Sequence, residues 1–234
     1  GSVASTNVQS GQSITIGTLS INDGTGLASN YNLTTGTFDI TQRWVTLTGT
    51  RSYDGTTTAD SSDLVISNLV AGETLGLTGN GTVASKNVGS NKSITDVSLT
   101  LTDGSGLASN YTIGTKTLNI TQQAISIDGS KVYDGNTTVA AANISTLNGL
   151  ALTETLTISG SGTVTAPQVG TNKTVTLGTI ALADGTNGGE ASNYSLASGT
   201  FDVTARPITL SGSRVYDGTT TVANTDFTTF TNIV

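Results

Sequence analysis

The feature that most limits what this chain can fold into is a tandem repeat. Tyr53-Asp54-Gly55 returns as Tyr133-Asp134-Gly135 and Tyr216-Asp217-Gly218, at offsets of 80 and 83 positions. Ala28-Ser29-Asn30-Tyr31 returns as Ala108-Ser109-Asn110-Tyr111 and Ala191-Ser192-Asn193-Tyr194, at the same two offsets of 80 and 83. All six tyrosines of the chain belong to one of these motifs. Catalysis needs one constellation of groups, whereas extending a surface needs many copies of one unit, so the repeat argues against an enzyme.

Composition narrows the chemistry further. The chain has no Cys, no His and no Met, and its net charge is −7 with only 11% charged residues. Cys and His nucleophiles, a Ser-His-Asp triad, thiolate or imidazole metal sites and disulfides are therefore excluded. Nine Lys and Arg, with no basic run among them, argue against nucleic acid and against anionic membrane as partners. No stretch reaches the roughly 18 apolar residues of a membrane span. The expectation is a soluble excerpt of a longer protein, with no cofactor and no membrane insertion in this fragment.

The apolar residues are largely β-branched and spaced by two, the period of a strand with one buried face. This alternation runs through 13–21, 93–101 and 174–182, with Val97 among its apolar positions. Further strands are predicted after each Asn-Tyr and before each Tyr-Asp-Gly, separated by Asp-Gly turns such as Asp103-Gly104 and Asp184-Gly185. The predicted fold is mainly β: an elongated array of small modules, Ig-like sandwich or β-grasp-like. Residues 63–69 and 140–147 leave room for one short helix per module.

Taken together, Val132-Tyr133-Asp134-Gly135-Asn136-Thr137-Thr138, Gly81-Thr82-Val83-Ala84-Ser85-Lys86-Asn87-Val88-Gly89, Ala191-Ser192-Asn193-Tyr194 and Phe201-Asp202-Val203-Thr204 resemble the YDG domain of large bacterial surface adhesins. The resemblance covers essentially the whole chain. It implies modules strung in long secreted proteins of the filamentous-haemagglutinin, two-partner-secretion type, placed at the bacterial cell surface. It carries over no catalytic residue and no ligand-binding set. In the family's frame, residues 1–42 are the C-terminal half of a repeat, 43–123 and 124–206 are whole, and 207–234 are an N-terminal half. A permuted frame starting at Gly1, Gly81 and Gly162 is the alternative.

Each motif has a structural expectation. A cation stands two positions before each Tyr-Asp-Gly tyrosine, at Arg51, Lys131 and Arg214, so cation and ring share one face of a strand, where the stem or charge can lie on the ring. The aspartate then caps the next turn, and the glycine takes a positive φ. In the second motif, Asn30, Asn110 and Asn193 close a turn while Tyr31, Tyr111 and Tyr194 enter the core, each hydroxyl seeking a backbone acceptor.

Sharper chemistries meet bland counterparts. Asp54, Asp60 and Asp63 lie close in sequence, and Asp184 and Glu190 flank one loop, which makes them candidate calcium ligands; their spacing fits no EF-hand, and solvated turn carboxylates are the stronger reading. Lys92 and Lys173 align, but Gln12 replaces them in the first copy, which argues against a recurring isopeptide bond with Asn119 or its counterparts Asp39 and Asp202. Asn-X-Ser/Thr triplets, Asn193 among them, offer acceptors for sugar. Trp44, the single tryptophan, aligns with Ala124 and Pro207 where modules join without a Gly/Ser linker, and is expected to pack there.

Two functions follow from this reading. In the first, the repeats are a structural stalk whose partners are neighbouring repeats of the same protein. In the second, the repeats themselves recognise host-cell or matrix glycans or polysaccharide weakly and gain from avidity. A polysaccharide-cleaving enzyme would need a carboxylate pair that stands apart from the turns, and none does. If the modules are strung end to end, small-angle scattering should give a radius of gyration well above the roughly 17–18 Å of a compact domain of this length; a compact profile would exclude the array.

Overall fold

The computed structural model describes every residue except Val97, so that position of the alternation lies outside the described residues. The chain forms two compact units: residues 1–51 with 56–121, and residues 52–55 with 122–234. The segments 1–42 and 207–234 are thus built into the same units as the longer repeats. The short segment 52–55, which carries Tyr53-Asp54-Gly55, is counted with the second unit.

In the second unit the main sheet is mixed. Its strands lie in the order Thr138–Ala140, Ser161–Val164, Gly170–Thr176, Thr200–Thr204, Gln123–Val132, Ile144–Asn148. Gln123–Val132 is met in parallel first by Tyr194–Leu196 and then by Thr200–Thr204, and antiparallel on its other edge by Ile144–Asn148. Parallel neighbours cannot be joined by a hairpin, so the intervening chain makes the crossover and supplies the remaining strands. Period-two alternation along Gln123–Val132 buries Ile125, Ile127 and, farther on, Lys131. Ile127, Val139, Val164, Val175, Ile180, Phe201 and Val203 close into one apolar cluster. Two antiparallel ribbons complete the unit, Leu156–Ser159 with Ala181–Asp184 and Thr209–Gly212 with Phe227–Thr231.

The first unit follows the same plan. Its six-stranded sheet runs Thr58–Asp60, Asn80–Val83, Gly89–Asp96, Tyr111–Thr121, Arg43–Ser52, Leu64–Ser67. The ribbons are Leu75–Thr78 with Thr100–Asp103, and Gln9–Ser13 with Thr37–Ile40. Val45, Leu47, Leu118 and Ile120 form its buried centre, again at period two.

Two local expectations are corrected. The alternating stretch 174–182 is not one strand: Gly170–Thr176 lies in the main sheet and Ala181–Asp184 in a ribbon. Between them Gly178 takes φ 57°, and the Ile180 N–H donates to the Leu177 carbonyl at 2.9 Å. The alternation shifts phase by one residue at the corner, from Val175 and Leu177 to Ile180 and Leu182, and this shift lets Val175 and Ile180 face the same core. The second correction concerns the short helix, which is a single 3₁₀ turn, Ser61–Asp63 or Ala141–Asn143, running at once into a strand. No α-helix occurs among the described residues. Ser, Asp and Asn compete with the helical backbone for hydrogen bonds, and the β-branched residues that follow prefer extended chain.

Phe201 is fully buried at the middle of its cluster, whereas Val215 is almost wholly exposed. Phe201→Ala should therefore destabilise the second unit by about 3–5 kcal/mol, while Val215→Ala should change stability by no more than about 0.5 kcal/mol. Denaturant melts of the two variants check the assignment of the core.

Candidate functional site

The motif tyrosines converge on a carboxyl group. Ala151-Leu152-Thr153-Glu154 is a tight turn in which the Glu154 N–H donates to the Ala151 carbonyl at 3.0 Å. The turn aims the Glu154 side chain inward, where it is only 5% exposed. Tyr53 donates its hydroxyl to Glu154 Oε1 at 2.6 Å, and Tyr194 donates its hydroxyl to Oε2 at 2.6 Å. Both lengths fall in the range of charge-assisted O–H···O bonds. The Tyr194 oxygen in turn accepts the Ala151 N–H at 3.1 Å. The two rings meet edge to face, with centroids 5.3 Å apart and an interplanar angle of 78°, a preferred aromatic geometry. Both tyrosines are buried, Tyr53 to 1% exposure.

Local structure explains how each group reaches this point. Tyr194 leaves the one-turn 3₁₀ helix Ala191–Asn193, its N–H bonded back to the Ala191 carbonyl. Asp184 holds that turn by accepting the Ala191 N–H at 2.8 Å, as Asp103 does for Ala108 at 2.7 Å. Tyr53 follows the strand Arg43–Ser52 and turns at Gly55, whose φ is 79°. A Cβ on Gly55 would stand 3.0 Å from Leu152 Cδ1 and 3.3 Å from the Ala151 Cβ, so that position has neither the backbone nor the space for a side chain. Burial first, and then the Glu154 carboxyl, push the Tyr194 hydroxyl up to about 12 from its ordinary 10.0.

The first unit holds the corresponding half of this site. The Tyr111 hydroxyl donates to Glu73 Oε2 at 2.5 Å and accepts the Val70 N–H at 3.1 Å. The Glu73 N–H closes its own turn onto the Val70 carbonyl at 3.0 Å. The Glu73 bond is the first cause of the raised pKa of Tyr111, ahead of burial. Among the described residues no second phenol joins this pair.

The other motif residues sort by this geometry. The aspartates cap turns as expected: Asp134 accepts the Asn136 N–H at 3.1 Å and Asp217 the Thr219 N–H at 2.9 Å. Gly135 and Gly218 repeat the positive φ of Gly55, at 78° and 75°. The cations do something different from lying on a ring. Lys131 is buried and donates to the Asn136 and Thr138 carbonyls at 2.9 and 2.7 Å, besides pairing with Asp134 at 2.9 Å. Arg51 donates to the Thr56 carbonyl at 2.8 Å, and Arg214 to the carbonyls of Thr219 and Thr221. Each cation therefore clamps the turn that follows the tyrosine, because loop carbonyls are the nearest groups that satisfy a half-buried charge. The Lys131 bond is also the main reason the Asp134 carboxyl titrates below the usual range, and the Thr219 N–H does the same for Asp217.

The expectation that every motif tyrosine is buried fails at two copies. Tyr31 is 67% exposed and Tyr216 93% exposed, while Tyr133 is half-buried against the core cluster. Asn30, next to Tyr31, is exposed too, and Asn110 bonds Asn7 and the Val8 N–H, whereas Asn193 is fully buried and closed to glycosylation in the folded unit. Trp44 also departs from expectation, lying mostly exposed across Gly114. The carboxylates considered for calcium are dispersed: Asp54 and Asp60 are exposed, Asp63 ends a 3₁₀ turn, Asp184 caps one, and Glu190 precedes the turn Ala191–Asn193. Among the described residues no three acidic groups come together in a way that could hold a metal ion. Lys92 and Lys173 bond the Ser85 and Ala166 carbonyls, while Asn119, Asp39 and Asp202 each accept a turn N–H, from Asn91, Gly11 and Asn172.

Glu73 and Glu154 are the residues the motif analysis passed over. Their signal is plain: the chain has three glutamates, and two of them recur in Glu-Thr-Leu, 81 positions apart. Replacing Tyr53 by Phe keeps the ring and removes one short hydrogen bond from a buried carboxyl group, which should cost about 1–3 kcal/mol in the second unit. The pH dependence has a definite sign. Tyr194 is pushed up to about 12, so its contribution is complete below pH 10 and is lost as the pH rises towards 12. Thermal melts from pH 9 to 12 should show the wild-type stability falling across that window and a smaller fall in Tyr194→Phe.

Comparison with known proteins agrees with the repeat. The model of the family described as the YDG domain matches residues 40–119 and 114–201. Neither a curated protein nor a solved structure matches the chain. With the family's pattern present twice across most of the sequence, and with Tyr53 from the first match and Glu154 and Tyr194 from the second meeting in one buried cluster, the chain belongs to the YDG domain family.

Proposed function

We propose that this chain is a structural stalk region of a secreted bacterial surface adhesin, in which the repeats extend an adhesive part and support attachment or aggregation of cells. The observation that carries this reading is the use to which the repeated motifs are put. Tyr53, Tyr111 and Tyr194 are spent on buried hydrogen bonds, Asp134 and Asp217 on turn caps, and Lys131 and Arg214 on loop carbonyls. In the copies where they are buried, the recurring residues build the module, and among the described residues no group is left free at the same aligned position in every copy.

A glycan-binding array would instead repeat an exposed aromatic at one aligned position, since sugars stack on such faces and weak sites gain by avidity. Among the described residues each exposed aromatic has a buried or non-aromatic counterpart: Tyr31 aligns with buried Tyr111 and Tyr194, Phe38 with Leu118 and Phe201, Trp44 with Ala124 and Pro207, Tyr216 with buried Tyr53, and Phe230 with Ile66 and Leu147.

The 234-residue chain, applied to an array of host-cell and bacterial polysaccharides, should show no saturable binding. In the whole adhesin, exchanging this region for an unrelated β-repeat spacer of equal length should preserve attachment. Saturable glycan binding that is abolished by Trp44→Ala would transfer the function to the repeats themselves.

A further inference from the structure

The two units carry the same sheet edge in two different forms. In the first unit Leu64–Ser67 is the last strand of the six-stranded sheet, and in the second Ile144–Asn148 is the last strand of its own sheet. Ile144–Asn148 has repeat sequence on both sides and is still an edge, so the edge belongs to the module itself. In the second unit it is blunted. A register shift between Asp128 and Gly129 bulges the strand, and polar Ser145 and Thr146 stand where the first unit has Val65. Bulges and polar residues at an edge hinder its pairing with other chains. The register also shifts beside Phe227–Thr231, the third copy of this strand. In the first unit the strand is regular: Leu64, Val65, Ile66 and Ser67 meet Gly49, Thr48, Leu47 and Thr46 without a shift. The strand holds no charge and no proline, and Val65 is 65% exposed.

Beside this edge lies a groove of about 460 Å³, lined by Leu64, Val65, Ile66, Leu69, Leu75 and Leu77 with a few hydroxyl residues and no charged one. Successive strand residues point to opposite faces, so a groove that touches Leu64, Val65 and Ile66 in turn runs along the edge of the strand. An unpaired strand edge beside an apolar groove selects an extended segment with aliphatic side chains at alternate positions. Leu64–Ser67 is itself such a segment. Charge then decides the orientation in which two copies can meet. Asp63 stands at the start of the strand, and Arg43 is held at its end, donating to the Asn68 carbonyl at 2.7 Å and to Asn68 Oδ1 at 2.9 Å. Two such strands laid antiparallel bring Asp63 of each beside the Arg43 end of the other, whereas a parallel pair would set like charges together. The aligned strand of the second unit has neither charge, with Asn143 and Gln123 in these places.

We propose that Leu64–Ser67 pairs antiparallel with the same strand of a second copy of this chain, Val65 lying opposite Val65. Ile66 of each copy then stands across from Leu64 of the other and enters its groove. The contact is twofold symmetric, so it closes at two copies and does not grow further. The proposal rests on this edge and groove and not on the adhesin reading.

The chain has no cysteine, so a single introduced thiol reports the contact. Treated with a short bis-maleimide, Val65→Cys should give a crosslinked dimer, while Thr146→Cys, which meets Asp128 as Val65 meets Thr48, should stay monomeric. Sedimentation of the wild type over a wide concentration range should show monomer and dimer with no larger species. Val65→Lys sets two like charges opposite each other at an exposed position and should weaken the dimer about tenfold or more, with an unchanged melting curve. Thr146→Lys should dimerise like the wild type. A wild type that stays monomeric at millimolar concentration, a Val65→Lys chain that dimerises like the wild type, or equal crosslinking of the two cysteine variants would each overturn the proposal.

Discussion

A carboxyl group taken out of water must be given hydrogen-bond donors, and in the second unit this requirement fixes three separate pieces of chain at once. Glu154 is buried on a four-residue turn, and its two oxygens are satisfied from opposite directions by Tyr53 and Tyr194. Tyr53 stands 101 positions before the glutamate and Tyr194 stands 40 after it. Removing either donor takes a short hydrogen bond from a buried carboxyl, so the arrangement is specific as well as stabilising: a slip of one residue in the strand before Tyr53 would turn its ring to the other face of the sheet. The edge-to-face contact of the rings adds a geometric condition that an aliphatic pair would not impose.

The sequence Arg/Lys-X-Tyr-Asp-Gly is best understood as the mount for that phenol. Each residue solves one part of the problem of ending a strand with a tyrosine aimed inward. Glycine supplies the left-handed backbone, with φ between 75° and 79° in all three copies. Aspartate caps the turn in the second and third copies. The cation draws the loop carbonyls back towards the strand, most completely at Lys131, which is buried and has its ammonium shared among Asn136, Thr138 and Asp134. That the turn keeps its shape in the third copy, where Tyr216 is exposed, shows the mount forms without the carboxyl that the phenol serves in the second unit.

Much of this was legible beforehand. Period-two spacing of Val, Ile, Leu and Thr identifies the sheets because burying one face of a strand leaves few other patterns, and the Asp-Gly turns follow from the need for positive φ. The sequence pattern could not show where an alternating stretch turns a corner. Val175 and Ile180, five positions apart, reach the same core because the alternation changes phase at the bend. It also could not show what a polar motif residue bonds to. The cations were expected on aromatic faces, yet carbonyls take them, since a loop's unpaired oxygens are a nearer and stronger partner than a ring. Glu73 and Glu154 were missed for a related reason: a lone glutamate in a surface-like stretch gives no sign of burial, and only its recurrence in a chain with three glutamates marks it.

The unequal state of the two sites bears on how the full cluster is organised. Glu73 and Tyr111 hold the same relation as Glu154 and Tyr194, down to the backbone N–H that each tyrosine oxygen accepts, although among the described residues only the second pair has a further phenol on it. The two turns that carry the glutamates differ in detail, with positive φ at Gly72 in one and at Leu152 in the other, and still deliver the carboxyl to the same place. Tyrosine and glutamate are therefore set by their own unit, through the 3₁₀ turn of Ala-Ser-Asn on one side and the glutamate turn on the other. Tyr53 is the component that comes from a distant part of the chain, and it docks against groups already in position. In such an arrangement the free energy of the added phenol goes into the contact rather than into ordering the receptor, which is the condition under which a small buried hydrogen-bonded cluster can hold a chain turn firmly.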